Sequence, residues 1–415
     1  MKLTRRELIK TGAVMATAWF VPPSLRRAVA APGPDKVVVA IFLRGGADPL
    51  SLVVPAFDPT YYSVRPDIAV PAGTELQLGG GDTHGFGLFP LCTDMKAMYD
   101  AGELIAIHLA GSTDPSRSHF DAQDFMEKAA PGNKSITDGW LNRYLAVVNN
   151  ADPIAGLSIS DAPQLAMRGA SPNVAFSAIN SFLIAGDFPA ARRTALQAYY
   201  SAGNADTLGV GVDAALSAVD VIQSVNTATG VTYPNNRLAR SLKDVAAIIK
   251  AQVGVRVVAV DLGGWDHHSN LSTNLGQVGG EDGDGKAVEL NNALKAFRDD
   301  LAAGSQLSNT LTLVMTEFGR RVVQNGGAGT DHGHGGVMFA IGGGISGGKL
   351  ILDDDNWPGL TPPNLYNGED LQVTTDFRDV FAEALYAHLG MSTAAMGPIF
   401  PGFSASASRF PGLYA

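Results

Sequence analysis

Cysteine, charge and basic residues are scarce in this sequence, and each scarcity excludes a class of protein. Cys92 is the single cysteine in 415 residues, so an internal disulfide scaffold is impossible. Charged residues make up 17% of the chain and hydrophobic residues 46%, a balance that excludes an intrinsically disordered protein. The 30 basic residues are outnumbered by 40 acidic ones, and the net charge of -10 argues against a nucleic-acid partner, because binding to phosphates needs a basic surface.

The first thirty residues have the pattern of an export signal. Thr4-Arg5-Arg6 begins a twin-arginine motif, which a weakly apolar run and a small-residue cleavage site at 28–30 follow. The run is too short to form a stable membrane span. We predict that residues 1–30 are a twin-arginine signal peptide, removed after the twin-arginine translocase has carried the folded protein to the periplasm or out of the cell. Its removal takes away more basic than acidic residues, so the mature chain is more acidic still.

Short apolar runs predict β-strands, and helical segments separate them. Runs at 37–43, 104–109, 255–260 and 311–316 each lead into glycine, a pattern typical of strands buried on both faces. Helices are predicted over 120–128, 238–250, 288–301 and from about 375 to 389. This alternation predicts a doubly wound α/β fold with a mainly parallel central sheet and helices on both faces. We expect residues 31–415 to form a single domain, with a mostly helical excursion at about 138–253 and a further strand within 154–159.

Histidines and carboxylates follow four of the predicted strands. In an open α/β sheet, ligands bind beyond the carboxyl ends of the strands, where the loops converge. Five of the eight histidines lie in these loops, and together with aspartate and glutamate they form a ligand set that suits Zn²⁺, Mn²⁺ or Mg²⁺. We predict one or two divalent ions, Zn or Mn. Two such ions could hold the attacking and leaving oxygens of a displacement reaction. The predicted ligands are Asp48, Asp266, His268, Glu317, Asp331, His332 and His334.

Some of these assignments have an alternative. Asp48 and Glu317 could instead cap a helix or pair with Arg44 or Arg320. Asp331 could orient a ligating imidazole from behind rather than bind the metal itself. Of the adjacent pair His267 and His268, only one need ligate, because successive residues in a turn point apart.

Ser118 is the candidate nucleophile. It precedes a predicted helix, whose free backbone N–H groups can hold an anionic oxygen, and a nearby metal could activate its hydroxyl. Serine is also a favoured helix N-cap, which is the structural alternative. Arg117 and Arg44 could bind the non-bridging oxygens of a phosphate or sulfate, or could pair with surface carboxylates.

Together these motifs resemble the DUF1501 family. The resemblance rests on the twin-arginine start, Arg-Gly-Gly-Ala-Asp at 44–48, Ser-Arg-Ser-His-Phe-Asp-Ala-Gln at 116–123, Gly-Gly-Trp-Asp at 263–266 followed by His268, Thr-Glu-Phe-Gly-Arg at 316–320, and Gly-Thr-Asp-His-Gly-His-Gly at 329–335. That family is related to the alkaline phosphatase and sulfatase superfamily. The resemblance therefore implies an alkaline phosphatase-like fold and metal-dependent ester hydrolysis.

The resemblance also implies roles for single residues. Asp48 matches the superfamily's first-strand metal carboxylate, Ser118 matches its nucleophile, and Asp266 with His268 resembles a shortened form of its Asp-x-x-x-His pair. Glu317-Phe318 stands where the superfamily has Asp-His, and phenylalanine cannot ligate. Either His332 or His334 then supplies the missing imidazole, or one metal is lost.

Two functional hypotheses follow from the sequence. The first is an exported hydrolase of phosphate or sulfate esters, with a small anionic ester as substrate and Ser118 or a metal-bound water as nucleophile. The second is an exported binding or assembly protein that keeps the hydrolase fold without turnover. Metal content and a screen of ester substrates distinguish the two.

Overall fold

The computed structural model describes residues 36–80, 82–184, 186–200, 207–279 and 283–414. The predicted signal peptide, residues 1–30, lies outside these ranges. In the described part of the chain, no helix is both long enough and apolar enough to cross a membrane.

The first strand, Val37–Arg44, shows why the sequence forms a sheet covered on both sides. Val37 and Val39 point into one hydrophobic layer, and Val38 and Ala40 point into the other. Successive side chains of a strand face opposite sides, so an unbroken apolar run leaves no face for solvent. Both faces of this strand must therefore be covered by other elements.

The strands of the described residues form one large and one small sheet. Their bounds are β1 Val37–Arg44, β2 Val53–Val54, β3 Leu76–Gln77, β4 Gly87–Leu88, β5 Leu104–Gly111, β6 Gly156–Ser158, β7 Val174–Ala175, β8 Val257–Gly263, β9 Thr310–Met315, β10 Gly336–Gly342, β11 Lys349–Ile351 and β12 Thr375–Asp376. The large sheet has the order β11-β5-β10-β9-β1-β8-β6-β7, with β12 also paired to β5, and the small one has the order β2-β4-β3.

The large sheet is mainly parallel, as predicted. β1 lies between β8 and β9 and runs parallel to both, with Val38 opposite Val257 on one side and Leu311 on the other. β10 runs antiparallel to β5 and β9. The four strands predicted from apolar runs are confirmed, with ends displaced by a few residues, and so is the further strand within 154–159, which pairs with β8 as β6.

Helices cover both faces of the large sheet. Their bounds are α1 Pro49–Leu52, α2 Pro59–Val64, α3 Thr93–Asp100, α4 His119–Glu127, α5 Trp140–Val147, α6 Pro189–Tyr200, α7 Thr207–Ser224, α8 Arg237–Lys250, α9 Leu271–Gly276, α10 Lys286–Ala303 and α11 Phe377–Glu383, which continues as a π-helical turn over Ala384–His388. Side chains of α3, α8 and α10 belong to one hydrophobic layer, and those of α5 and α11 belong to the other. Trp140 of α5 stacks on Phe381 of α11 with ring centroids 4.3 Å apart. The doubly wound α/β prediction is confirmed.

Four strands of the large sheet end at the same edge. β1, β5, β8 and β9 all run in one direction, because β10 is antiparallel to both β5 and β9 and β1 is parallel to β8 and β9. The loops that follow these four strands therefore meet at a single edge, the edge at which open α/β sheets bind ligands.

Candidate metal site

Close backbone packing joins the loops at this edge. Gly45, after β1, has a φ of +123°, and a Cβ there would lie 2.5 Å from the backbone nitrogen of Asp266, after β8. Gly319, after β9, lies so close to the strand entering β10 that a Cβ would lie 1.8 Å from the carbonyl oxygen of Gly335. Only glycine allows such approaches. These glycines bring side chains from different loops within contact of one another.

His332 lies at the centre of the polar cluster at this edge. Its Nδ1 donates to the carbonyl oxygen of Arg117 at 2.8 Å, so its Nε2 carries the lone pair when the ring is neutral. That Nε2 lies 3.1 Å from Oδ1 of Asp266 and 3.1 Å from Nε2 of His268. Burial lowers the pKa of His332, which favours the neutral ring. A neutral imidazole with a free Nε2 is the form that binds metals.

His268 has the same arrangement on the exposed side of the cluster. Its Nδ1 lies 3.2 Å from Oδ1 of Asp331, and its Nε2 lies 3.0 Å from Oδ1 of Asp266. Asp331 also accepts a hydrogen bond from Asn325 at 3.2 Å, and this bond, together with His268, lowers the pKa of Asp331. The Asp331 carboxylate is therefore charged and holds the His268 ring from behind.

His119 completes the set of imidazoles from the first residue of α4. Its Nδ1 lies 2.8 Å from Oε1 of Glu317, a carboxylate with no exposed surface. Glu317 also accepts from the backbone of Gly45 at 2.8 Å and from Gln123 at 2.9 Å. Burial acts to raise the pKa of Glu317, but the hydrogen bonds from His119 and Gln123 outweigh it and lower that pKa. The hydrogen bond to Glu317 in turn raises the pKa of His119.

Asp266 faces all three imidazoles and is fixed by a buried arginine. Arg320, 1% exposed, donates to Oδ1 of Asp266 at 2.6 Å. Arg320 also donates to the backbone carbonyl oxygens of Gly46 at 2.6 Å, of Thr330 at 3.0 Å, and of Gly45. Although burial acts to raise it, the ion pair with Arg320 holds the pKa of Asp266 well below its usual value. Arg320 thus joins three loops and keeps Asp266 ionised.

The donor set fits a divalent metal ion. His119, Asp266 and His332 offer ligand atoms that all lie within 4.8 Å of one another, and His268 contacts two of them. Nε2 of His119 is buried without a hydrogen bond, and Oδ2 of Asp266 lies 3.4 Å from it. In a tetrahedral zinc site, neighbouring ligand atoms are separated by about 3.3 Å. The separations of Asp266 from the three imidazoles and of His268 from His332 are 3.0–3.4 Å, close to that spacing.

Asp48 does not join this cluster in the structure. Its Oδ1 accepts from Arg65 at 2.9 Å and from the backbone of Ser51 at 2.9 Å, which makes it the N-cap of α1. Its Oδ2 accepts from Thr330 at 3.3 Å. Although burial acts to raise the pKa of Asp48, Arg65 outweighs it and lowers that pKa. Its surroundings match the helix-cap alternative, with Arg65 as the cationic partner.

His334 and Glu317 also lie apart from the side chains that surround Asp266. His334 is buried, and its ring packs on Tyr366 with centroids 4.7 Å apart. Glu317 lies behind His119 rather than among the Nε2 atoms. The sequence did not decide between His332 and His334. In the structure it is the imidazole of His332 that lies in the cluster.

The two candidate anion-binding arginines are already paired. Arg44 contacts Glu127 at 3.0 Å and Asp261 at 2.9 Å. Arg117 forms an ion pair with Asp370, a carboxylate with no exposed surface. The part of Arg117 that contacts the cluster is its backbone carbonyl, which holds His332.

Ser118 occupies the N-cap position of α4, and its side chain makes no capping hydrogen bond. It is exposed and directly precedes His119. The sequence motif pointed to Ser118, whereas the structure places its neighbour His119 in the cluster. The available signal was the histidine of the Ser-Arg-Ser-His motif at the start of a helix. The buried partner Arg65 was missed as well, because no motif marks it.

Comparison with protein families places the chain. The DUF1501 family, described as a protein of unknown function, matches residues 106–395. The chain belongs to the DUF1501 family. The resemblance read from the motifs is therefore confirmed, and the matched range contains every residue of the polar cluster. A comparison with curated proteins finds no significant match.

The solved structures similar to this DUF1501 protein are distant. A sulfatase from Pseudoalteromonas sp. is 12% identical, with 92% of this chain and 72% of that chain covered and a TM-score of 0.38. A phosphonate monoester hydrolase from Silicibacter pomeroyi is 10% identical, with 92% and 77% covered and a TM-score of 0.38. An alkaline phosphatase from the Antarctic bacterium TAB5 is 11% identical, with 75% and 93% covered and a TM-score of 0.27. Similarity at this level transfers neither a site nor an activity.

Proposed function

We propose that this chain is an exported, metal-dependent hydrolase of phosphate or sulfate esters, with Zn or Mn as its metal. One observation carries the proposal: three imidazoles from different loops each have Nδ1 held by an acceptor and Nε2 directed toward Asp266. An acceptor behind each ring fixes its tautomer and raises its basicity as a ligand. A histidine with a purely structural role needs a hydrogen-bond partner on one ring nitrogen. It does not need two neighbouring histidines whose rings are held in the same way.

The exposure of the cluster favours catalysis over a purely structural metal. The side chains of Asp266 and His268 are 45% and 47% exposed, so a small ester can approach. A bound divalent ion would polarise the ester oxygen and lower the pKa of water, which is the chemistry it supplies in hydrolases. Arg320 keeps Asp266 charged, and Glu317 keeps His119 oriented. The first backbone N–H groups of α4, which begins at His119, would be available to hold an anionic oxygen.

The hydrolase proposal predicts metal-dependent ester cleavage. Full-length protein loaded with Zn or Mn should release 4-nitrophenol from at least one of 4-nitrophenyl phosphate, bis(4-nitrophenyl) phosphate and 4-nitrophenyl sulfate. A chelator followed by gel filtration should abolish that release, and returning the metal should restore it. Metal binding without turnover of any ester would favour a non-catalytic binding protein instead. Failure to bind either metal would contradict the hydrolase proposal.

Ser118 and water remain alternative nucleophiles, and one pair of variants distinguishes them. If Ser118 attacks, Ser118→Ala should lower kcat by at least about 100-fold, as losses of catalytic nucleophiles do. Ser116→Ala is the matched control, because it removes a hydroxyl two residues away whose oxygen accepts from the Ser118 backbone at 3.2 Å. Equal activity of the two variants would assign the attack to water.

Export by the twin-arginine route is part of the proposal and concerns residues outside the described ranges. The motif at Arg5 and Arg6 is its basis. Replacing both arginines by lysine should leave the protein, with its signal uncut, in the cytoplasm, as cell fractionation would show. Unchanged export of that variant would contradict the assignment.

A further inference from the structure

The arginines around the candidate metal site are all in ion pairs, which bears on the charge of the substrate. A phosphate monoester carries two negative charges in mildly alkaline solution, and hydrolases that select it need cations to balance them. In the loops described here, each guanidinium already faces a carboxylate. The pairs are Arg44 with Glu127 and Asp261, Arg65 with Asp48, Arg117 with Asp370 and Glu369, Arg320 with Asp266, and Arg321 with Glu369.

A lysine beside these loops is paired too. Lys286, at the start of α10, lies beside the loop after β8, where a Cβ on Gly264 would be 2.8 Å from its side chain. Its ammonium group contacts Glu289 at 2.7 Å. It therefore brings no uncompensated positive charge to the site.

The space beside the cluster fits one ion rather than two. The ring of Phe318 lies 4.9 Å from the ring of His119 and 4.9 Å from the ring of His332, and Phe318 is 3% exposed. A Cβ on Gly46 would be only 2.5 Å from the same phenyl ring, so this space is filled. Asp48, the carboxylate on that side, is already neutralised by Arg65.

One divalent ion would balance the charge of the cluster. The carboxylates in contact with the imidazoles are those of Asp266, Glu317 and Asp331, and Arg320 contributes a single positive charge. The excess of two negative charges equals the charge of one ion. With that ion bound the cluster would be neutral, so a substrate group with two negative charges would leave two charges unbalanced. A group with one negative charge would leave a single charge for the helix N-terminus to stabilise.

We propose that the site works with one divalent ion and selects esters whose reacting group carries a single negative charge, such as phosphodiesters and sulfate esters, over phosphate monoesters. This inference rests on the proposed hydrolase function. If water attacks, its oxygen forms a bond to phosphorus or sulfur, the bond to the alcohol oxygen breaks, and one proton of the water ends on the departing alcohol. If the Ser118 hydroxyl attacks, its oxygen forms that bond and its proton ends on the alcohol; water then displaces the serine oxygen, which regains a proton. Neither route involves a net redox change.

The test compares three substrates that all release the same leaving group, 4-nitrophenol. For the full-length, metal-loaded protein, kcat/KM should be at least about tenfold higher for bis(4-nitrophenyl) phosphate or 4-nitrophenyl sulfate than for 4-nitrophenyl phosphate. The ratio between the first two identifies which singly charged class is preferred. Equal or faster turnover of 4-nitrophenyl phosphate would overturn the inference, and so would two ions per chain by elemental analysis.

A charge-neutralising variant should relax the selectivity. Glu369→Gln removes the exposed partner that Arg321 contacts at 2.8 Å and Arg117 at 3.7 Å, so kcat/KM for 4-nitrophenyl phosphate should rise relative to the diester by about 3–10-fold. Asp100→Asn is the matched control, because that carboxylate pairs with Lys96 before the amino end of β5. An unchanged ratio in Glu369→Gln would count against the inference.

A binding measurement tests the inference even if no ester is hydrolysed. The absence of hydrolysis would contradict only the proposed function. Phenylphosphonate carries two charges at mildly alkaline pH, and its monomethyl ester carries one. By calorimetry, the metal-loaded protein should bind the singly charged methyl ester at least as tightly as phenylphosphonate. Glu369→Gln should tighten the binding of phenylphosphonate and not that of the methyl ester. Tighter binding of phenylphosphonate, with no selective gain in the variant, would overturn the inference.

Discussion

Replacement of His332 by alanine should remove the metal from this protein. His332 contacts Asp266 and His268 through Nε2, and its ring lies 4.3 Å from that of His119. Loss of a residue that only supports a ligand weakens metal binding by about 10–100-fold, so loss of this ligand should weaken it by more than about 100-fold. Titration of the metal-free protein with Zn, followed by calorimetry, measures the change.

His334→Ala is the matched control for this substitution. His334 lies two residues along the same loop, but its ring packs on Tyr366 away from the cluster. Its removal should leave the affinity for Zn within about threefold of that of the natural protein. This change is smaller than the loss of affinity that follows removal of a residue supporting a ligand. If His334→Ala loses the metal while His332→Ala keeps it, the proposed ligand set is wrong.

Replacement of Asp48 by asparagine should destabilise the fold and leave the metal in place. Asp48 and Arg65 are 1% and 0% exposed and lie 2.9 Å apart. Removing one member of a buried ion pair leaves the other charge without a partner and costs about 3–5 kcal/mol. Urea unfolding should report this loss, while elemental analysis should find the same metal content as in the natural protein.

Two further measurements make this prediction specific. The folded protein holds the pKa of Asp48 below its unfolded value, so its contribution is present above the unfolded pKa and is lost as the pH falls through the folded one. The stability difference between the natural protein and Asp48→Asn should therefore shrink in acid. The double variant Asp48→Asn, Arg65→Met should recover part of the loss, because it no longer buries an unpaired charge. Loss of metal in Asp48→Asn without loss of stability would instead make Asp48 a ligand.

The sheet could be predicted because its strands carry a local signal. Unbroken runs such as Val37–Arg44 are buried on both faces, and periodicity alone marks such strands. The antiparallel course of β10 could not be read this way. It depends on a loop of about twenty residues between β9 and β10 that returns the chain at the carboxyl edge, and no local pattern encodes that return.

The candidate site could be predicted at the level of loops but not of every atom. The histidine-rich loops do meet at one edge, as parallel strands require. Whether Asp48 faces this cluster depends on Arg65, which comes from the end of α2 and lies far from any motif. The choice between His332 and His334 depends on backbone direction around Gly333 and Gly335, where added Cβ atoms would clash with neighbouring loops. Long-range packing of this kind leaves no mark in the spacing of residues.

The central claim is that His119, Asp266 and His332, with His268 beside them, hold a divalent ion. Crystals of the full-length protein grown with Mn or Zn, measured at the absorption edge of that metal, test it most directly. We expect one anomalous peak per chain, about 2.0–2.2 Å from Nε2 of His119, Nε2 of His332 and a carboxylate oxygen of Asp266. A peak at Asp48 or His334 instead, or no peak in protein saturated with the metal, would contradict the account.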